Sequence, residues 1–287
     1  MSALDKHKAF KMNGLGNEIV VLDLRESNHV VTAAEARAVG KSDGLHFDQM
    51  MVLHAPRTKG TACFVLIYNI DGSEAGACGN GTRCVAWYLA HEGQRHVTIE
   101  TRAGCLDCQQ ISALQYSVDM GLPRLDWQDI PLRDAVVDTG FVPLNTESMQ
   151  VNLPGTFSAV SMGNPHAVFF VADVEAHGLI RIGPLLETNP MFPEKANISL
   201  AAVTARNALT LKVWERGAGL TRACGSGACA AVVSAHRRGL TDREVCVSLP
   251  GGDLMIHWRM DNHVIMTGPV EFEYEKQLSA ALFLAAV

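Results

Sequence analysis

The chain of 287 residues carries one cysteine motif twice, half a chain apart. Ala77-Cys-Gly-Asn-Gly-Thr-Arg-Cys84 matches Ala223-Cys-Gly-Ser-Gly-Ala-Cys229, and the leading cysteines, Cys78 and Cys224, lie 146 positions apart. Three further pairs of segments keep the same order at nearly the same offset. They are Met12–Asn17 with Met162–Asn164, His96–Gly104 with Glu244–Gly252, and Val118–Pro123 with Ile265–Pro269. A repeat of this length is far too long for a solenoid and predicts two homologous domains with pseudo-two-fold symmetry.

The repeats also set the expected domain boundaries. We predict an N-terminal domain of residues 1–121 and a C-terminal domain of residues 122–268. The proline-bearing stretch of residues 122–154 carries the linker. The tail of residues 269–287 belongs to neither repeat, so we expect it to return and pair with the first domain.

The pattern within each copy is mostly that of strands, with few helices. Segments such as Phe64–Tyr68 and Leu209–Trp214 are rich in β-branched or alternating apolar residues. The two stretches after the cysteine motifs are apolar nearly all round, which predicts buried helices, and each ends at a glycine, Gly93 or Gly239. We therefore predict an α/β fold (α+β type) with two pseudo-symmetric domains, each a sheet wrapped around a central buried helix.

Composition excludes several functional classes. The net charge of −6 gives no general attraction to nucleic acid or to an anionic membrane surface. No apolar run approaches the ~18–20 residues of a membrane helix. The first eight residues lack an apolar signal core, so we expect a cytoplasmic protein whose eight cysteines are reduced.

Cys78 and Cys224 each stand where a glycine-rich turn enters a predicted buried helix. The glycines let backbone N–H groups converge on a small anion, and a helix N-terminus favours the thiolate, so we expect a lowered thiol pKa. Two matched thiols suit the inversion of a carbon stereocentre, since a base removes a proton from one face and an acid returns one to the other. The alternative is that both are small packing residues in tight turns.

Ten short motifs, each weak alone, occur in an order that is highly specific. They are Asn13–Asn17, Phe47–Gln49, Asn69–Glu74, Ala77–Cys84, Met162–His166, Ala196–Ile198, Glu215–Gly219, Ala223–Cys229, Pro250–Gly252 and Met266–Pro269. By these motifs the chain resembles the diaminopimelate epimerase family over essentially its whole length. The resemblance implies curved, mostly antiparallel sheets. It also implies interconversion of LL-2,6- and meso-diaminopimelate, in lysine and peptidoglycan precursor biosynthesis, without a cofactor or metal.

The resemblance further implies a role for each matching residue. Cys78 and Cys224 would be the base and the acid and would exchange roles with direction, and His166 and Glu215 would assist them. Arg216 would bind the distal carboxylate of the substrate. The residues expected to contact substrate are Asn17, Gln49, Asn69, Gly79, Asn80, Asn164, Asn197, Glu215, Arg216, Gly225 and Ser226.

Two other classes stay open at this point. Proline racemases and hydroxyproline epimerases share the fold and the thiol pair, but their motifs typically read Cys-Gly-His-Gly and Cys-Gly-Thr-Gly, where this chain has Asn80 and Ser226. A thiol redox or zinc protein would instead use Cys105 and Cys108, which form a C-x-x-C.

A small-molecule substrate is the expected partner. A homodimer is the candidate assembly.

The chain also departs from the family pattern before Gln49. His46 stands where the family usually has a glycine, and Asn17 is followed by Glu18-Ile19 rather than by Asp-Phe. These departures lie in the segments around Gln49 and Asn17, outside the two cysteine motifs.

Overall fold

The computed structural model describes residues 3–145 and 151–283. The chain divides into two compact units, one of Met1–Val118 with Gly268–Val287 and one of Asp119–Thr267. The sequence analysis placed these divisions after residues 121 and 268.

The first unit is a mixed sheet built around one buried helix. Its elements in chain order are β1 (Lys8–Asn13), β2 (Glu18–Asp23), α1 (Ala33–Lys41), β3 (Gln49–His54), β4 (Cys63–Asn69), β5 (Glu74–Ala75), α2 (Gly79–His91), β6 (His96–Thr101), β7 (Gly104–Gln110) and β8 (Gln115–Asp119). Neighbouring strands are antiparallel except for β2 with β3 and β4 with β6, which are parallel. Each parallel pair is joined by a helix, as such a crossover requires.

Local sequence explains where the two helices begin. Thr32 caps α1 in a capping box, because its hydroxyl accepts the N–H of Glu35 while the Glu35 carboxylate accepts the N–H of Thr32. Helix α2 contacts β2, β3, β6 and β7, and most of its side chains are buried. The sheet therefore curves around α2.

After one additional short strand, β9, the second unit has the same order of elements as the first. They are β9 (Val142–Pro143), β10 (Thr156–Ser161), β11 (Pro165–Phe170), α3 (Leu179–Glu187), β12 (Asn197–Ala205), β13 (Ala208–Glu215), β14 (Gly219–Thr221), α4 (Gly225–Arg237), β15 (Glu244–Leu249), β16 (Gly252–Trp258) and β17 (Val264–Pro269). Its parallel pairs are β11 with β12 and β13 with β15, again joined by helices. Helix α4 contacts β10, β11, β12, β13, β15 and β16, and most of it is buried. The predicted α+β class, with sheets around buried helices, is confirmed.

The C-terminal segment belongs to the first unit. Strand β18 (Glu271–Gln277) pairs antiparallel with β1, and a short 3-10 turn, Ala280–Phe283, follows it. Leu278 and Phe283 are buried in the same apolar core as β2, β3 and α1.

The sequence analysis missed α3. Gly178 precedes this helix in a left-handed conformation with no side-chain cap, and Gly183-Pro184 lies inside it. These are signals that normally end a helix. The helix forms because Leu179, Ile182 and Leu186 are buried in the apolar core of the second unit.

Within the two described ranges, no helix has both the length and the apolar character that a membrane crossing requires.

A pair of glycine variants tests how tightly the β4–β5 turn is packed. Gly60 and Gly72 both have positive φ, but a Cβ on Gly60 meets nothing within 4 Å, whereas one on Gly72 would lie 2.5 Å from the backbone oxygen of Ala33. We expect Gly60→Ala to lower the free energy of unfolding by about 1 kcal/mol through backbone strain. Gly72→Ala should cost about 2–4 kcal/mol, because overpacking adds to the strain. Equilibrium urea unfolding measures both, and equal losses would contradict the close approach to Ala33.

Candidate active site

Cys78 is the residue that caps helix α2. Its Sγ accepts the backbone N–H of Gly81 at 3.3 Å, and its backbone is extended. Gly81 lets the first turn of α2 approach β3 closely, since a Cβ on Gly81 would lie 2.4 Å from Sδ of Met51. The thiol is therefore held at the N-terminus of a helix that is pressed onto the sheet, as the sequence predicted.

A chain of amide side chains leads away from the Cys78 thiol. The thiol donates to Oε1 of Gln49 at 3.7 Å, and Nε2 of Gln49 donates to Oδ1 of Asn69 at 3.4 Å. These two residues meet because Gln49 and Asn69 are cross-strand partners on β3 and β4. Asn69 then donates to Ser73 at 3.0 Å, whose hydroxyl donates to Asp71 at 2.6 Å. Two predicted substrate contacts thus lie beside the thiol, while Ser73 and Asp71 were not singled out from the sequence.

Asn17 and Asn80 lie in two turns that pack together. Gly14 and Asn17 exchange backbone hydrogen bonds across the turn. A Cβ on Gly14 would lie 3.1 Å from Cβ of Asn80, in the first turn of α2. The Oδ1 atom of Asn17 is buried and accepts no hydrogen bond from residues 3–145 or 151–283. Such an oxygen is ready to accept a donor from a ligand.

Cys224 caps α4 as Cys78 caps α2, but Cys224 is more deeply buried. Its Sγ accepts the N–H of Gly227 at 3.4 Å and lies 3.6 Å from Oγ of Ser226, and the residue is 3% exposed. Burial raises the pKa of the Cys224 thiol well above its usual value, and the nearby Glu215 carboxylate raises it further. The prediction of a lowered pKa is wrong for Cys224, because desolvation and a like charge outweigh the helix N-terminus.

His166 is a fully buried imidazole that orients Asn164. Burial, and secondarily the positive charge of Arg216, lowers the pKa of His166 to about 3, so the ring is neutral at physiological pH. Its Nε2 lies 3.0 Å from Oδ1 of Asn164, which sets Nε2 as the donor, and Nδ2 of Asn164 then lies 3.4 Å from Oγ of Ser226. A line of contacts therefore runs from His166 through Asn164 and Ser226 to the Cys224 thiol.

Glu215 and Arg216 begin the turn between β13 and β14. The Glu215 carboxylate accepts the hydroxyl of Thr221, a residue that the sequence analysis did not single out. Arg216 is exposed, and one of its terminal nitrogens donates to the backbone oxygen of Glu194 at 2.9 Å. Its remaining guanidinium N–H groups donate to no atom in the described part of the chain and can receive an anion.

Asn197 is hydrogen-bonded to the backbone of the turn that carries Arg216. It is 2% exposed, its Oδ1 accepts the backbone N–H of Arg216 at 2.9 Å, and its Nδ2 donates to the oxygen of Pro165 at 3.0 Å. The structure thus gives this amide contacts within the protein, and direct contact with substrate stays a prediction.

The remaining cysteines differ in environment from the two capping thiols. Cys105 is exposed and Cys108 is buried, because residues three apart on strand β7 point to opposite faces. Cys84 and Cys229 are fully buried inside α2 and α4, and burial raises the pKa of Cys84 to about 12. Among the described residues no three His, Cys, Asp or Glu side chains are grouped to hold a metal ion. Glu74 pairs with Arg102 at the surface.

Curated proteins and a family model match nearly the whole chain. The model described as diaminopimelate epimerase matches residues 9–125 and 158–273. A protein named diaminopimelate epimerase from Methylocella silvestris is 53% identical over 100% of this chain and 99% of its own length. One of the same name from Methylobacterium sp. strain 4-46 is 54% identical, with 100% of both chains covered.

Solved structures share the fold at much lower sequence identity. A predicted epimerase from Pseudomonas aeruginosa superposes with a TM-score of 0.70 at 18% identity, covering 95% of this chain and 99% of that one. A hydroxyproline epimerase from Agrobacterium vitis, with bound trans-4-hydroxy-L-proline, gives a TM-score of 0.66 at 14% identity, covering 96% and 92% of the two chains.

The buried neutral His166 predicts an acid sensitivity of folding. Its pKa is about 3 when folded and ~6.5 when unfolded. Between these values the unfolded chain binds more protons, so stability is full above pH 6.5 and falls as the pH drops towards 3. We expect protonation of His166 in the unfolded chain to make the free energy of unfolding about 2 kcal/mol lower at pH 5 than at pH 7. Urea unfolding of the wild type and of His166→Gln at both pH values measures it, and an equal loss in the variant would contradict the assignment.

Proposed function

Because the chain belongs to the diaminopimelate epimerase family, we propose that it interconverts LL-2,6-diaminopimelate and meso-diaminopimelate with two cysteines as acid and base. The observation that carries this proposal is the matched pair of capping thiols, Cys78 on α2 and Cys224 on α4, at equivalent positions of the two repeats. A thiol at a helix N-terminus, beside backbone N–H groups, suits proton transfer next to a carboxylate.

The reaction needs one proton removed and one returned. The thiolate of one cysteine takes the α-proton, the C–H electron pair stays on carbon as a carbanion, and the thiol of the other cysteine protonates the opposite face. Backbone N–H groups of Gly79, Asn80, Gly225 and Ser226 would stabilise the negative charge that spreads onto the substrate carboxylate. The reverse reaction uses the same groups with their roles exchanged.

The environment of Cys224 supports its starting as the acid. Burial and the Glu215 carboxylate raise the pKa of this thiol and keep it protonated, so it holds a proton to give. When the reaction runs in the other direction, Glu215 is the adjacent group that can take the proton from this thiol. His166, which is neutral, would assist by holding Asn164 and Ser226 in place.

The polar side chains around the two thiols suit an amino-acid zwitterion. Amides such as Asn17, Gln49, Asn69 and Asn164 offer donors and acceptors without adding a charge beside the thiols. Arg216 adds a guanidinium whose planar donors match a carboxylate. Diaminopimelate has a second carboxylate at its distal end, whereas proline has only one carboxylate. Arg216 therefore favours diaminopimelate as the substrate.

We also propose the finer points that the family resemblance implies. The enzyme would act in the cytoplasm, in lysine and peptidoglycan precursor synthesis, as a homodimer and without pyridoxal phosphate or metal.

Removal of either capping thiol should stop epimerisation. We expect Cys78→Ser and Cys224→Ser to retain less than about a hundredth of wild-type kcat, since a hydroxyl is a far weaker acid than a thiol and is almost never ionised to act as a base. Serine keeps an oxygen to cap the helix, so the fold should remain. Exchange of the α-proton with solvent deuterium, followed by NMR, measures the reaction. Cys105→Ser, at an exposed position of β7, is the matched control and should keep full activity. Substantial turnover by either single variant would exclude the two-thiol mechanism.

Arg216 should select substrates with a distal carboxylate. Loss of a charge-assisted hydrogen-bonded pair should lower kcat/KM about 10- to 150-fold in Arg216→Ala. Arg216→Lys should recover only part of this, because an ammonium lacks the planar fork. The exposed Arg206, which pairs with Asp242, provides the control Arg206→Ala. Comparable wild-type turnover of proline, or an unaltered kcat/KM in Arg216→Ala, would favour a proline racemase type of isomerase instead.

A further inference from the structure

A buried carboxylate at the end of α3 contacts the turn that carries Arg216. Glu187 is 6% exposed, and its oxygens accept from Nε1 of Trp214 at 2.7 Å and from the backbone N–H of Gly217 at 3.2 Å. Lys195 Nζ lies 3.6 Å from the same carboxylate. A buried carboxylate needs such partners, because desolvation without them is costly. Neither the motifs nor the proposed chemistry uses this residue.

Helix α3 is shaped to lie directly against Trp214. Gly183 stands one turn before Glu187, on the same face of the helix. A Cβ on Gly183 would lie 2.5 Å from ring atoms of Trp214, so the indole packs against the bare backbone of the helix. Gly183 and Glu187 therefore fix the plane and the N–H direction of the Trp214 indole. Trp214 immediately precedes Glu215 and Arg216 in the chain.

The turn itself is held at two consecutive backbone N–H groups. Asn197 accepts the N–H of Arg216, and Glu187 accepts the N–H of Gly217. Gly217 has a φ of 76°, which glycine adopts without strain, and the Glu187 contact adds to the backbone hydrogen bond from Ala218 to Glu215 that closes the turn. The direction in which the Arg216 side chain leaves the backbone thus depends on the Glu187 carboxylate.

We propose that Glu187 is a positioning residue for distal-carboxylate recognition, acting on Arg216 through Trp214 and Gly217. This inference rests on the role of Arg216 in the proposed function. Glu187 touches no substrate. Its carboxylate holds the β13–β14 turn in the one arrangement in which the guanidinium donors are presented to a carboxylate.

A double-mutant cycle on LL-diaminopimelate tests the inference. Glu187→Gln keeps the shape but puts an amide N–H₂ where one of two acceptors stood. We expect it to lower kcat/KM about 10- to 100-fold in the wild-type background, as small misplacements of a binding group do. In the Arg216→Ala background the same change should have less than about a twofold effect, because the group that it positions is gone. Thr139→Val removes the two hydrogen bonds of a buried hydroxyl elsewhere in the second unit, to the Leu125 oxygen and from Arg237, and is the control for stability, with kcat/KM unchanged.

The outcomes separate this inference from the proposed function. An equal loss in both backgrounds would overturn the positioning role and indicate general destabilisation. If Arg216→Ala alone leaves kcat/KM unchanged, the proposed recognition of the distal carboxylate fails. If Arg216→Ala lowers kcat/KM and Glu187→Gln does not, only the present inference fails. Should Glu187→Gln not fold, Trp214→Phe keeps a ring over Gly183, removes the indole donor to Glu187 and gives the same cycle.

Discussion

The structure depends on a sulfur atom that accepts a backbone N–H at the start of a buried helix, once in each unit. This interaction fixes Cys78 and Cys224 at positions where a helix N-terminus and converging N–H groups favour negative charge. It also requires glycines after the cysteine, because the helix start is pressed against a neighbouring strand. The sheets curve around α2 and α4 to bury them, so the fold and the chemistry share one constraint.

The two halves of the repeat surround their thiols differently. Cys78 donates to Gln49, at the head of an amide chain that ends on the exposed carboxylate of Asp71. Cys224 is buried beside Glu215, which raises the pKa of its thiol. The equivalent thiols of the two repeats thus have different surroundings. In the proposed mechanism, this difference keeps the Cys224 thiol protonated at the start.

Helix α3 contacts the turn that carries Arg216 and differs from its counterpart in the first unit. Its counterpart in the first unit, α1, has a capping box and no glycine-proline pair, whereas α3 has both a bare backbone at Gly183 and a terminal carboxylate at Glu187. These features meet Trp214 and the turn that follows it. The two units therefore differ at the helix whose end contacts the turn that carries Arg216.

The sequence by itself determined the repeat, the buried helices with their glycine ends, the cysteines at their starts and the family. These follow from local patterns, since capping, glycine conformation and apolar periodicity act over a few residues. Only the tertiary structure decided the pKa direction of the Cys224 thiol and the contacts of Asn197 and Glu187. Burial and charge at these residues come from partners such as Glu215, Arg216 and Trp214 that lie far away along the chain or on other elements. Helix α3 was missed for the same reason, because packing of Ile182 and Leu186 in the core overrides the helix-ending signals of Gly183 and Pro184.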